Sequence, residues 1–87
     1  IYGTFQVLVG LQSVGCDMSQ PWVQRAGQWL RDHQQPDGSF GETALSYEDP
    51  TLRGTGPATA SQTAWGAMGL MAAFGERDPA AARAIAW

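Results

Sequence analysis

The sequence predicts an all-α chain of repeated helix pairs, and three observations carry that prediction. Apolar residues recur at helical spacing in successive stretches, prolines stand where helices begin, and the two halves of the chain repeat one another.

The elements follow in order. Between Tyr2 and Val14, the residues Phe5, Leu8, Val9, Leu11 and Val14 keep helical spacing, and Gly15 stands where a left-handed residue would end the helix. Ser19 and Gln20 precede Pro21, whose missing N–H is not needed at a first helical position. Trp22, Val23, Ala26, Trp29 and Leu30 then carry a second helix to about Gln34. So short a connection fits a hairpin with antiparallel arms. Residues 35–58 contain Pro36, Gly38, Gly41, Pro50, Gly54, Gly56 and Pro57, which predicts a long loop without regular elements. Loops beyond roughly 12 to 15 residues are uncommon in compact domains, so this one is expected to be pinned to a neighbouring surface or to lie over a site. Thr59 and Gln62 spell a capping box in which the Gln side chain returns to the cap N–H. The third helix then carries Trp65, Met68, Leu70, Met71 and Phe74 and ends at Gly75, while Ala64, Gly66, Ala67, Gly69, Ala72 and Ala73 permit close helix contact. Asp78 before Pro79 caps a fourth helix, which continues from Ala80 to Trp87. The organisation is one helix pair at 1–34, a loop at 35–58 and a second pair at 59–87.

Phe5, Leu8, Leu11, Val14 and Gly15 match Trp65, Met68, Met71, Phe74 and Gly75 at an offset of 60, and Pro21, Arg25, Ala26 and Trp29 match Pro79, Arg83, Ala84 and Trp87 at an offset of 58. In such an array each unit buries its apolar face on the next, and further repeats cover the open ends. An isolated 87-residue form is expected to be marginal or to self-associate, and the final helix looks cut short.

Composition removes several function classes. Five arginines, no lysine and eight carboxylates give a net charge of -3, so no basic stripe offers itself to phosphates and nucleic acid is not an expected partner. One cysteine and one histidine can form neither an internal disulfide nor a four-ligand zinc site. No apolar run approaches the roughly 20 residues that span a bilayer. Hydrophobic residues make up 44% and charged residues 15%, leaving much apolar surface to cover.

The most specific pattern is Arg25, Ala26, two residues, Trp29, Leu30, three residues, Gln34, three residues, Gly38, one residue, Phe40. It resembles the QW repeat of the triterpene cyclases, with Phe40 where that repeat has Trp. Arg83, Ala84 and Trp87 open a second copy. Tyr2-Gly3-Thr4, the run from Asp37 to Glu42, Ser46 to Pro50 and Ser61 to Trp65 are similar to the carboxy-terminal half of bacterial squalene-hopene cyclases. The resemblance covers nearly the whole chain. It implies two helical hairpins of an α6-α6 barrel, an α/α toroid. The QW residues are then structural: Gln34 can bond backbone groups of the adjacent turn, and Gly38 permits the tight turn that returns Phe40 toward the helix, making a clamp between repeats.

The activity implied by the resemblance is cyclisation of squalene, started by protonation of a terminal alkene and continued by a carbocation cascade in a dry aromatic cavity, without metal or organic cofactor. Aromatic faces stabilise passing cations by roughly 0.5 to 2 kcal/mol or more each when desolvated. The family's acid lies in an Asp-x-Asp-Asp segment that this chain lacks, and Asp49 beside Glu48 departs from that pattern, so these residues alone are expected to be inactive. By the same resemblance Tyr2 helps to order the water near that acid, while Phe5 and Trp65 are possible cavity lining. The remaining implied partners are a squalene-like isoprenoid, the rest of the cyclase chain and, through it, the cytoplasmic face of a bacterial membrane. Rival readings are a related toroid, such as a diterpene cyclase or a zinc-dependent prenyltransferase subunit, and a non-catalytic helical-repeat module. His33 suits a helix end, where it can bond terminal carbonyls, and Cys16 beside Asp17 reads as an inert thiol. Asp37, Ser39 and Glu42 lack the ligand spacing of a calcium loop.

Overall fold

The computed structural model describes residues 1–87 and contains helices and no strand. The α-helices are α1 (Tyr2–Ser13), α2 (Pro21–His33), α3 (Ala60–Phe74) and α4 (Pro79–Ala86). Two single turns of 3-10 helix, Ala44–Tyr47 and Pro50–Leu52, interrupt the loop that was expected to hold no regular element. Each is started locally: Thr43 Oγ1 accepts from the Leu45 N–H, and Asp49 Oδ1 accepts from the Thr51 N–H. Short polar side chains of this kind hold one turn without any hydrophobic period, so breaker density alone does not register them.

Local chemistry explains the helix ends. Gly15 has φ +79°, and with it the Cys16 N–H reaches Leu11 O while the Gly15 N–H reaches Gln12 O, closing the last carbonyls of α1. Pro21 and Pro79 both open helices. Ser19 serves Asp17 rather than α2, whose N-cap is Gln20 and makes no side-chain bond. Asp78 caps α4, its Oδ2 accepting from the Ala81 N–H at 2.9 Å. At α3 the expected capping box forms in one direction only. Thr59 Oγ1 accepts from the Gln62 N–H, but the Thr59 N–H is taken by Phe40 O, so the Gln62 side chain accepts from the Thr59 hydroxyl instead and also bonds the backbone of Glu42 in the loop.

Helix α3 is the hub. Tyr2 meets Trp65 near both amino-terminal ends, Phe5 backs onto Gly69, and Val9 and Gln12 share a recess with Ala72 and Gly75, so α1 and α3 run parallel. Helix α2 runs against α3: Gln24 Nε2 donates to Ala73 O, Leu30 lies on Gly69, and the chain beyond α2 sets Phe40 on Gly66. Helix α4 follows the direction of α2, as Arg31 meets Asp78 and Gln34 meets Ala80. The result is a slab, 33 × 29 × 18 Å, two helices thick at the usual spacing of 8 to 10 Å. Leu8, Val23, Leu30, Phe40 and Leu70 are fully enclosed between the layers, with Ala67, Ala72, Ala73, Ala80, Ala81 and Ala84 filling the closest approaches. At Gly66 and Gly69 a Cβ would intrude on the Phe40 ring and on Leu30 respectively. Small residues at these places set how tightly the layers close.

Candidate functional site

Two constructions lie at one end of the slab, where α1 and α3 begin and α2 ends. The first joins the units. Gln34 Nε2 donates to Gly38 O at 3.0 Å and to Ala80 O at 2.8 Å, and its Oε1 accepts from Arg83 Nη2 at 2.7 Å. One amide thus ties the end of α2, the following turn and α4. Gly38 has φ +93°, and a Cβ on it would lie 2.5 Å from Arg83 O, so both the turn and the close approach require glycine. Asp37 accepts from the Ser39 N–H and hydroxyl and from Trp87 Nε1, and the two Ser39 bonds are the main reason its carboxyl lies below the usual carboxylate range. Phe40, in the position where the repeat pattern has Trp, is fully buried. Its N–H donates to Thr63 Oγ1 at 3.0 Å and its carbonyl accepts from the Thr59 N–H at 3.1 Å, while the Thr63 hydroxyl proton goes to the nearer Thr59 O at 2.7 Å. Trp29 stacks on His33 with ring centroids 4.1 Å apart, and the imidazole Nδ1 is 2.7 Å from Trp29 O, which fixes the proton on that nitrogen because a carbonyl only accepts. Arg25 and Ala26 take no part in these bonds, and Arg25 is exposed.

The second construction is aromatic. Tyr2 meets Trp65 edge-on at 4.9 Å, Phe5 and Trp65 lie nearly parallel at 6.1 Å, and Tyr2 and Phe5 are tilted at 6.0 Å. Three rings from two parallel helices therefore form one cluster. Tyr2 is 51% exposed while Phe5 is buried, so the phenol stands at the surface of the cluster and Phe5 behind it. The Tyr2 oxygen accepts from Gln6 Nε2 at 2.7 Å, which leaves the hydroxyl proton free to donate outward. Two open recesses flank Tyr2. One, of about 440 Å³, is lined by Ile1, Trp29, Glu42, Tyr47 and Arg53; the other, of about 360 Å³, by Thr43, Ser46, Gln62 and Trp65. Phe5 lines neither.

Comparison with known proteins decides the family. Residues 1–87, the whole chain, match the family model described as the squalene-hopene cyclase C-terminal domain. The chain belongs to the squalene-hopene cyclases. Its four helices are accordingly an all-α portion of that family's α/α toroid, consecutive units lying side by side. It is 44% identical over 86 residues to a probable squalene-hopene cyclase of Sinorhizobium fredii and 45% identical over 86 residues to the squalene-hopene cyclase of Bradyrhizobium diazoefficiens, with 98% of this chain covered in each. It is also 42% identical over 83 residues to the dammaradiene synthase of Dryopteris crassirhizoma. The chain spans 13% of the length of each of the two bacterial relatives and 12% of the synthase.

Within this cyclase segment the loop gives Glu42, a rejected calcium ligand on its sequence spacing, a bonding role that the spacing does not reveal. Glu42 Oε1 accepts from the Ile1 nitrogen at 2.9 Å and Oε2 from the Gly54 N–H at 2.6 Å. In the 87-residue chain burial pushes its carboxyl up, but these two hydrogen bonds, with the positive charge of the free amino end at Ile1, outweigh that and hold it below the usual glutamate range. Gln62 grips the Glu42 backbone from α3 at both N–H and C=O, each at 3.0 Å. The one sequence signal was Gln62 at the third helical position, which reads as serving its own helix. Asp49 lies in the same loop, exposed, its carboxyl lowered by hydrogen bonds from the Thr51 hydroxyl and N–H. That environment favours the ionised form, the opposite of what a proton donor needs. Cys16 is half-buried, its sulfur 3.9 Å from Asp17 O. No group of three or more histidine, cysteine or acidic side chains is placed to hold a metal, and no helix is long and apolar enough to cross a membrane.

Proposed function

We propose that this segment forms part of the wall of a cyclisation chamber in a terpene cyclase acting on squalene or a similar isoprenoid, an intramolecular transferase. The observation that carries the reading is the aromatic cluster of Tyr2, Phe5 and Trp65 at one end of two parallel helices, with the phenol at its surface. In the reaction a carboxylic acid adds a proton to a terminal alkene carbon, the π electrons of successive alkenes close the rings, and the last cation is discharged by loss of a proton or capture of water. Atoms and electrons balance without oxidant or cofactor. Aromatic faces suit the cationic stages, each worth roughly 0.5 to 2 kcal/mol when water is excluded.

The acid must come from outside these residues, since no Asp-x-Asp-Asp segment occurs here and Asp49 is held ionised. The 87 residues alone are therefore inactive in this reading. Tyr2 is not the acid; its outward O–H orders the water from which the spent carboxylate recovers its proton. The QW residues Arg25, Ala26, Trp29, Gln34, Gly38, Phe40, Arg83, Ala84 and Trp87 are structural, tying neighbouring units. Met68, Ile85 and Trp87 leave apolar surface exposed where more of the parent chain would pack, a face through which the isolated segment would self-associate. Because squalene partitions into lipid, the parent enzyme works at a membrane surface, on its cytoplasmic side.

The test is Tyr2→Phe in the complete cyclase with squalene as substrate. Losing one hydrogen bond of about 1 to 1.5 kcal/mol slows turnover about tenfold while the fold persists. Unchanged turnover removes the role assigned to Tyr2.

A further inference from the structure

The recess of about 360 Å³ beside Tyr2 has one buried residue in its wall, Ser46, which is 8% exposed. Three other polar side chains there are committed: Thr43 Oγ1 accepts from the Leu45 N–H, Gln62 bonds the Glu42 backbone, and Glu42 Oε2 accepts from the Gly54 N–H. The Ser46 hydroxyl has no partner in the chain. No fully enclosed polar side-chain atom lacks one, so this oxygen opens onto the recess that Ser46 lines. Burying a hydroxyl this far without a hydrogen bond costs free energy, which an ordered water recovers. Backbone bonds place the residue. Its N–H donates to Thr43 O at 3.0 Å, the Asp49 N–H closes on Leu45 O at 2.9 Å, and the Thr43 N–H donates to Thr55 O at 2.8 Å across the base of the loop. All of these bonds join residues inside the chain, none at either end. A serine has a single heavy-atom torsion, so a held backbone leaves its oxygen only the staggered positions.

We propose that Ser46 is a second water-ordering residue for recharging the acid, a positioning residue that acts with Tyr2 across this recess. The proposal rests on the role assigned to Tyr2 above. Each turnover takes one proton from the acid and releases one when the last cation is discharged. The spent carboxylate is therefore restored by a water that passes one proton on and gains the other, with no net change. Water in the liquid fills about 30 Å³ per molecule, so the recess has room for several, and an ordered one needs about two to four polar partners. Tyr2 offers an outward O–H, whereas the Ser46 hydroxyl both donates and accepts. One hydroxyl from α1 and one from the loop thus present to the same water what neither presents alone. A serine kept only for the turn would spend its side chain on the turn, as Thr43, Asp49 and Thr51 do in the same loop.

The experiment compares steady-state kcat on squalene with the rate of a single turnover at excess enzyme, both in the complete cyclase. The acid enters a single turnover already protonated, so only repeated turnovers call on the recharging water. Ser46→Ala lowers kcat about three- to tenfold and leaves the single-turnover rate within about twofold. Its Tm stays within about a degree of wild type, since no bond within the chain is lost. Ser46→Thr and Ser46→Val match in shape and differ in the hydroxyl, so threonine keeps more of kcat than valine even where the added methyl costs stability. In a Tyr2→Phe background Ser46→Ala causes a smaller fall, because the two hydroxyls share one water. Four results overturn the proposal and leave the Tyr2 assignment intact: wild-type kcat in Ser46→Ala, an equal fall in its single-turnover rate, equal kcat in the threonine and valine variants, or an equal fall in both Tyr2 backgrounds. A lower Tm with unchanged kcat gives the Ser46 hydroxyl to another part of the parent chain and overturns the proposal too. Wild-type kcat in Tyr2→Phe overturns the assignment of Tyr2 and this proposal with it.

Discussion

Replacing Gln34 by alanine removes three hydrogen bonds at once, and their surroundings set the size of the effect. The two donated bonds end on Gly38 O and Ala80 O, in residues that are buried, so neither carbonyl gains water readily when the amide is gone. Each is worth about 1 kcal/mol net. The bond from Arg83 lies at an exposed side chain and adds at most about 0.5 kcal/mol. The expected loss is therefore about 2 to 3 kcal/mol, or about 4 to 12 °C in Tm at the two to four degrees per kcal/mol typical of domains larger than this segment. Gln34→Glu separates the contributions. The carboxylate keeps the acceptor and pairs with Arg83, but it cannot donate, and it sets a negative charge against two carbonyl oxygens. It should be at least as destabilising as alanine. Differential scanning calorimetry of the complete cyclase reads both variants. A glutamate variant as stable as wild type, or an alanine variant that melts within a degree of it, would refute the assignment of stability to the donated bonds.

Gly66→Ala should lower Tm by the equivalent of about 1 to 3 kcal/mol, the usual cost of overpacking, because the added methyl has only the enclosed Phe40 ring to displace; calorimetry checks it. Leu30→Ala, at a fully buried position against Gly69, should cost about 2 to 5 kcal/mol by the same measurement. In the 87-residue chain the Glu42 carboxyl should titrate below the ordinary glutamate value by side-chain NMR. A depressed pKa in the folded state means that its stabilisation is full above the ordinary range near pH 4 and is lost as pH falls through the folded value; a midpoint at or above the ordinary value contradicts the bonding at Glu42. Tyr2→Phe, with the outcome given above, should leave Tm within about a degree, since only the exposed bond from Gln6 is lost.

What could be seen in the sequence is what local chemistry determines. Pro21 and Pro79 open helices, Asp78 caps one, and Gly15 ends one because each acts through its own few neighbours. The offset of 60 between Phe5 and Trp65 has a spatial counterpart, since the two rings lie nearly parallel on adjacent helices. Contacts made across the chain left no such trace. Glu42 reaches Ile1 and Gly54, and the Gln62 side chain accepts from the Thr59 hydroxyl while its amide turns to the Glu42 backbone, because Phe40 O has already taken the Thr59 N–H. A pattern search sees Gln62 three residues after Thr59 and assigns it to the helix; only the fold reveals that a loop carbonyl competes for the cap. The pinning of the loop was legible as a requirement of its length, whereas the residues that pin it were not.

The clamp and the aromatic cluster share one end of the slab and one stretch of chain, for only eight positions separate Gln34 from Glu42, yet the two should fail differently. Phe40 lies between them. Its ring is enclosed against Gly66, and its backbone is held by Thr63 and by the Thr59 N–H, all three residues in the first half of α3 or at its cap. Loosening Gln34 frees the turn at Gly38 and the contact with α4, but the strain ends at a buried ring anchored to a different helix. Beyond it, Gln62 of α3 again holds Glu42. The position of the Glu42 backbone is thus referred to α3 rather than to the clamp. Hence Gln34→Ala should lower the melting temperature with little change in the product pattern. Should product distribution shift in Gln34→Ala while Tm holds, the anchoring by Phe40 would not be what separates the two.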